Sequence, residues 1–250
     1  LLHLPLFIVL IRLWRSRTTM NYIQRLTLYR YNELFDDGDQ PPVADEHITN
    51  LAEIFVRHNA EKLLGIHLIH GHFKIPKSTV MLGTNFENPY LRWTKVTDIK
   101  KINPAGVHGH IFALTKDGLC AYEIQDGPLP DFSGIGQGFL DEFIHYIVEN
   151  NLISLVGLQV LGCGDCPMSE LILDQGTVML DSSAVKNTKP TRITGWKFES
   201  VNGKPRVCSA NETHATMTSG NHKVFNAGKP HPKLENAEDL KDALVSVGVL

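Results

Sequence analysis

The sequence predicts an α+β fold, an antiparallel sheet with helices packed on one side, built as two related helix-plus-hairpins halves of one domain. Three observations predict it. Apolar residues recur at helical spacing in a few places only, as at Ile48, Leu51, Ala52 and Phe55 and again at Phe139, Phe143 and Ile147. Short apolar runs bounded by turn signals fill much of the rest, among them a hairpin with an Asp117-Gly118 turn. The order of helix followed by strands then comes round a second time.

Taken along the chain, residues Leu1 to Leu13 are almost continuously apolar but carry His3, Pro5 and Arg12. That run falls short of the roughly 20 residues a membrane helix needs, and it lacks the flanks of a secretory signal. Residues 1–19 are expected to lie upstream of the natural start at Met20, with a membrane anchor or targeting remnant as the alternative. Asn21 to Phe35 mix helical and strand spacing and give no assignment. Asp36 to Pro42 is a turn. A helix follows, with Asp45 as its N-cap, ending near Asn59. Leu63 to Phe73 reads as a buried strand and Thr79 to Leu82 as a short one. Asn85 to Ala105, with Pro89, Pro104 and several lysines, reads as a long loop anchored by Trp93. Val107 to Leu114 and Leu119 to Ile124 form the hairpin. Gly134-Ile-Gly136-Gln-Gly138 is a flexible lead into the Phe139 helix, which stops at Asn150-Asn151.

The second half is predicted to hold strands near Leu155 to Leu161, Glu170 to Leu173, Val178 to Asp181, Arg192 to Ser200 and Pro205 to Ser209. Three matches relate the halves, about 44–125 and 137–210. Gly65 within its Leu/Ile-rich run matches Gly157, Thr79-Val-Met-Leu82 recurs as Thr177-Val-Met-Leu180, and Asp117-Gly118 has a counterpart in Asn202-Gly203. Residues 20–250 are therefore expected to form a single domain. It closes with a helix whose Asn236 and Asp239 have capping-box spacing.

Composition bounds the function classes. With 42% hydrophobic residues, 20% charged residues and a net charge of −3, the chain reads as soluble and globular. Its cations are scattered, which argues against nucleic acid as a partner. Four cysteines are too few for a disulfide scaffold in 250 residues, so a reducing, cytoplasmic setting is expected. The sequon Asn211-Glu-Thr213 matters only if the chain is secreted.

The chemistry-bearing residues are histidines. Ile66-His67-Leu-Ile-His70-Gly-His72-Phe73 and Val107-His108-Gly-His110 each contain His-Gly-His. Alternation along a strand puts His70 and His72 on the face of Ile66 and Leu68, with His67 on the other, and puts His108 and His110 together. Each glycine leaves the opposite face open for close approach. If the two strands are neighbours, His70, His72, His108 and His110 converge on a divalent transition metal, zinc first, able to activate water or polarise a carbonyl. The competing reading is structural, with imidazoles holding carbonyls. No carboxylate follows at the spacing of a cupin box, so that metal fold is rejected. Cys163-Gly-Asp-Cys166 suits a zinc ligand pair with Cys208 and His214 or His222, a redox pair, or a plain turn.

The stretch Arg57 to Phe73 resembles a group of uncharacterised fungal proteins, in which a helix is followed by a Leu/Ile-rich strand ending His-x-His-Phe. The similarity runs through Trp93 and the second helix to residue 161. His70, His72 and Phe73 match the motif, and His67 departs from it. The resemblance implies a shared strand motif and a fungal source, without an activity. Two function classes therefore stand. One is a metal-binding protein acting as a metal-dependent enzyme. The other is a non-catalytic binding protein, for a small molecule or a protein partner, that uses its histidines as scaffold.

Overall fold

The computed structural model describes residues 31–87, 90–116, 118–162, 167–225 and 232–250. The readings made for residues 1–19, for Asp117 and for Cys163 and Cys166 fall outside them. The chain folds around a closed barrel of ten strands: β1 (Leu64–Leu68), β2 (Thr79–Glu87), β3 (Tyr90–Asp98), β4 (Val107–Thr115), β5 (Gly118–Asp126), β6 (Val156–Val160), β7 (Met168–Ile172), β8 (Gly176–Asp181), β9 (Thr188–Val201) and β10 (Lys204–Met217). Helices α1 (Asp45–Arg57), α2 (Phe139–Glu149) and α3 (Ala237–Ser246) lie outside it. This overturns the α+β expectation of a sheet with helices along one side, because the strands curl until β9 pairs with β1 and no sheet edge remains.

Around the barrel the order is β1-β6-β4-β5-β2-β3-β8-β7-β10-β9. All neighbours are antiparallel except β2 with β5 and β7 with β10. Exchanging β1–β5 for β6–β10 leaves every pairing in place. Gly65 and Gly157 obey that exchange, since Gly65 pairs with Gln159 and Gly157 with His67 about the central pair Ile66–Leu158. The Thr-Val-Met-Leu recurrence does not, for it falls on β2 and β8, and the exchange relates β2 to β7. That match is a similarity of two apolar strands.

Apolar side chains mostly face outward. Leu64, Ile66, Leu68, Leu158, Trp196 and Phe198 pack beneath α1 and α2, where Phe55 meets Phe139 and Phe198 edge to face at 4.9 Å. Leu91, Trp93, Leu171, Val178 and Leu180 pack beneath α3. That helix starts with the capping box of Asn236 and Asp239. Val80, Ala121 and Ile124 lie beneath Ile99 and Ile102 of the connection before β4.

The segment read as a loop, Asn85 to Ala105, instead supplies the end of β2 and all of β3. Leu91 and Trp93 point out, while Arg92 and Thr94 point into the bore, so its polar residues mark the barrel interior and not solvent.

One end of the bore is plugged. Tyr31, Ile69 and Ile75 pack there with Met81, Ile111 and Tyr122. The plug is laced by hydrogen bonds: Ile75 donates its N–H to Asn32 Oδ1 at 2.8 Å, Gly71 donates to the Phe35 carbonyl at 2.8 Å, and Arg192 of β9 donates to the carbonyls of Asp37, Gln40 and Pro41. This fixes the short 3-10 turn Asp37–Asp39 against the barrel mouth and buries Asp37. Among the described residues no helix is long and apolar enough to cross a membrane.

Candidate functional site

The bore carries polar groups from strands that are not neighbours, so their contacts cross the barrel. β1 ends at Leu68, where the predicted strand continued to Phe73. Beyond Leu68 the chain turns inward, and strict alternation no longer applies. His67 points away from Ile66 and Leu68 as alternation requires, but His70 and His72 leave the face of those residues and join His67 in one interior cluster. Their rings lie in sequence, His67 and His70 stacked at 5.2 Å and His70 and His72 edge to face at 4.8 Å.

Two carboxylates and a fourth imidazole meet them. Glu170 of β7 places Oε2 3.5 Å from His70 Nε2 and Oε1 3.4 Å from His72 Nε2. His214 of β10 lies 5.2 Å from His72, ring to ring, and donates from Nδ1 to Asp37 Oδ2 at 2.8 Å. His70 is likewise pinned, its Nδ1–H donating to the Leu68 carbonyl at 2.8 Å. Two triads result, His70–His72–Glu170 and Asp37–His72–His214. They share His72, and in each the potential ligand atoms all lie within 4.8 Å of one another. Both ring nitrogens of His72 and Nε2 of His214 are buried without a hydrogen-bond partner among the described residues.

Electrostatics reinforce the cluster. Burial disfavours charge on Glu170, but His72 and His70 overcome it and hold the carboxyl well below its ordinary range. Burial likewise works against a charged His70, yet Glu170 raises it to about 9. His214 is also raised, Asp37 outweighing burial, and Asp37 is lowered in return.

His108 and His110 lie elsewhere. β6 separates β4 from β1, so the neighbouring-strand condition for a four-histidine centre is not met. His108 contacts the Gly127 carbonyl through Nδ1 at 3.1 Å. The β4–β5 register slips at His110 and at Tyr122, and such a bulge re-aims a side chain. His110 there accepts from the Arg92 guanidinium through Nε2, an arrangement that leaves no lone pair for a cation. Gly109 has a local reason: a Cβ would sit 2.3 Å from the Phe112 ring.

Above the histidine cluster lies a second polar layer. Arg92 Nη2 donates to Glu123 Oε2 at 2.7 Å, Gln159 Nε2 donates to Glu212 Oε1 at 2.8 Å, and His67 Nε2 lies 3.2 Å from Glu212 Oε2. Gly83 makes room for this layer, since a Cβ there would sit 2.6 Å from Gln125 Oε1 and 2.7 Å from Arg92 Nε. Beyond it the bore opens into a cavity of about 960 Å³, with Arg92, His110, Gln125 and Glu212 among its lining residues.

His110 makes a pH prediction. Burial first, then Arg92, holds its pKa well below the ordinary histidine value. The unfolded chain therefore binds a proton near pH 6.5 that the folded chain refuses. Stability from this group is full above pH 6.5 and is lost as pH falls toward the folded pKa, at about 1.4 kcal/mol per pH unit. Urea midpoints of wild type and His110→Gln between pH 7.5 and 5 should diverge, the variant losing less on acidification. Parallel slopes would remove His110 from this role.

Sequence reasoning missed Glu170, Asp37, Glu212 and Arg92, and it grouped His214 with the cysteines where the structure sets it beside His72 and Asp37. The signal was there for Glu170, a lone ionisable residue in the otherwise apolar and small polar strand Met168–Ile172, whereas His214 shares its strand with Lys204, Arg206 and Glu212. Compared with protein-family models, with curated proteins and with solved structures, the chain gives no match.

Proposed function

We propose that the chain binds a divalent transition metal, zinc before others, at the plugged end of its barrel, and that a metal-dependent reaction is its function. His72 is the central ligand, His70, Glu170 and His214 complete the set, and Asp37 orients His214. The observation that carries this reading is a pair of buried imidazole nitrogens without partners among the described residues, His72 Nδ1 and His214 Nε2, on side chains only 3% and 2% exposed. An unsatisfied buried polar atom costs about 1–3 kcal/mol, and two in one cluster beside the Glu170 carboxylate call for a shared partner. Metal-binding histidines are commonly held through the other ring nitrogen by a carbonyl or carboxylate. Leu68 and Asp37 do this for His70 and His214. Nitrogen and oxygen ligands in this number suit zinc. Such an ion supplies Lewis acidity or an activated water.

Metal content is the test. The full chain, purified and then titrated with zinc or cobalt, should hold about one ion per chain, as a mononuclear zinc site does. His72→Ala should hold none, and the cobalt form should show visible absorption that this variant lacks. No stoichiometric metal under either condition overturns the proposal. A stability loss in His72→Ala would then support the scaffold reading.

A further inference from the structure

The cavity of about 960 Å³ at the open end of the barrel is at the upper end of the range for small-molecule sites, about 300–1,000 Å³. Most of the residues lining it are polar. Asn59, Asn85, Ser200 and Asn211 supply uncharged donors and acceptors to its wall, and groups of this kind pair well with hydroxyls.

One charge on that wall has no counterpart. Glu61, on the turn between α1 and β1, lines the cavity and is only 6% exposed. Neither of its carboxylate oxygens has a hydrogen-bond or ion-pair partner among the described residues, and while Oε2 is fully buried, Oε1 keeps accessible surface. The next residue, Lys62, is exposed and makes no ion pair with it. A buried carboxylate without a partner is among the costliest groups a fold can hold, and a cation delivered to it removes that cost.

Most other charges on the wall are already matched. Arg92 is paired with Glu123, Glu212 with His67 and Gln159, and Glu199 with Arg206. Asp126, exposed on the same lining, adds a second carboxylate. His108 beside it directs its Nδ1–H to the Gly127 carbonyl, which leaves Nε2 as a lone-pair acceptor, and burial keeps the ring neutral at pH 7. Acceptors are therefore in excess, and a primary ammonium, with three N–H donors and no lone pair, is the head group that meets them.

From this geometry we infer that the cavity binds a hydroxylated primary amine, its ammonium paired with Glu61 Oε1 and its hydroxyls bonded to the surrounding amides. An anion would meet Glu61 as a like charge and would find Arg92 already engaged. An apolar body would strip the amides of water without replacing their hydrogen bonds. The inference does not rest on the metal.

Three probes that share one polyol chain test it by calorimetric titration of the full chain at pH 7: glucamine, a cation, sorbitol, its neutral counterpart, and gluconate, the anion. Glucamine should bind saturably with one site per chain, and sorbitol and gluconate at least about tenfold more weakly, a gap of about 1.4 kcal/mol or more. Glu61→Gln should bring glucamine down to the level of sorbitol, and its thermal midpoint without ligand should equal or exceed that of wild type, because an unpaired buried charge is gone. Asp126→Lys, at an exposed position, should also weaken glucamine and serves if the glutamine variant does not fold. A chelator should leave glucamine binding unchanged, so metal content and glucamine affinity fail or succeed separately. Absence of saturable glucamine binding, sorbitol or gluconate bound as tightly, glucamine affinity unchanged in both variants, or a lowered midpoint in Glu61→Gln, the mark of a carboxylate that already has a partner within the protein, would each overturn the inference.

Discussion

Glu170→Leu is expected to lower the unfolding free energy of chelator-treated protein by about 3–5 kcal/mol at pH 7, the usual cost of removing one member of a buried ion pair. Glu170 is 6% exposed and sits between His70 and His72. With His70 raised to about 9, the pair carries both charges at neutral pH. Leucine fills much of the volume but leaves the imidazolium buried without its counter-charge. Glu170→Gln keeps the shape and a hydrogen bond and should lose less. Urea unfolding with and without zinc separates the two roles. Wild type should gain stability from zinc by mass action, and neither variant should gain much. A change below about 0.5 kcal/mol in Glu170→Leu, the level of an ordinary surface substitution, would show that the carboxylate is not a keystone of the cluster.

The histidine-rich stretch was legible because composition alone marks it, and the two long helices were legible because their apolar residues repeat at helical spacing. Barrel closure was not. Reading polar residues as solvent-facing is sound for a half-exposed sheet, but here the apolar side of most strands faces outward under helices and the polar side lines the bore. Pro89, Pro104 and the lysines made the segment holding β3 look like a loop, although its Arg92 and Thr94 point into the bore. Closure also depends on the parallel pairs β2–β5 and β7–β10, which join strands with others between them in the chain and leave no turn signature. The cluster partners were hidden for the same reason. His70 and Glu170 are 100 positions apart, and nothing local to either tells that β7, three strands from β1 around the barrel, sends Glu170 to the end of β1.

This inside-out polarity has an energetic consequence. Polar side chains in a closed bore must satisfy one another, since hydrogen bonds unmade in a buried setting carry the full desolvation cost. The bore meets this demand in layers: Arg92 with Glu123 and His110, Glu212 with Gln159 and His67, then the histidines with Glu170 and Asp37. His67 joins the layers, touching Glu212 on one side and stacking on His70 on the other.

Arg92→Met should test the upper layer, with an expected loss of about 3–5 kcal/mol at pH 7.5, again the cost of orphaning a buried charge. Glu123 lies inside the bore, and burial already raises its pKa despite Arg92. Without the guanidinium that pKa rises further. A carboxyl whose folded pKa exceeds its unfolded one binds protons preferentially in the folded state, so stability is regained as pH falls through the folded value. His110, freed of the neighbouring cation, resists protonation less, and its own acid penalty shrinks. Between pH 7.5 and 5.5 Arg92→Met is thus expected to lose less stability from these groups than wild type does. The double variant Arg92→Met, Glu123→Leu should recover most of the loss at pH 7.5, because replacing both members of a buried pair by apolar groups is often near neutral. Urea midpoints of the three proteins at the two pH values decide the matter. A single variant whose acid slope equals that of wild type, or a double variant as unstable as the single, would mean that Arg92 holds the bore by packing and not by charge.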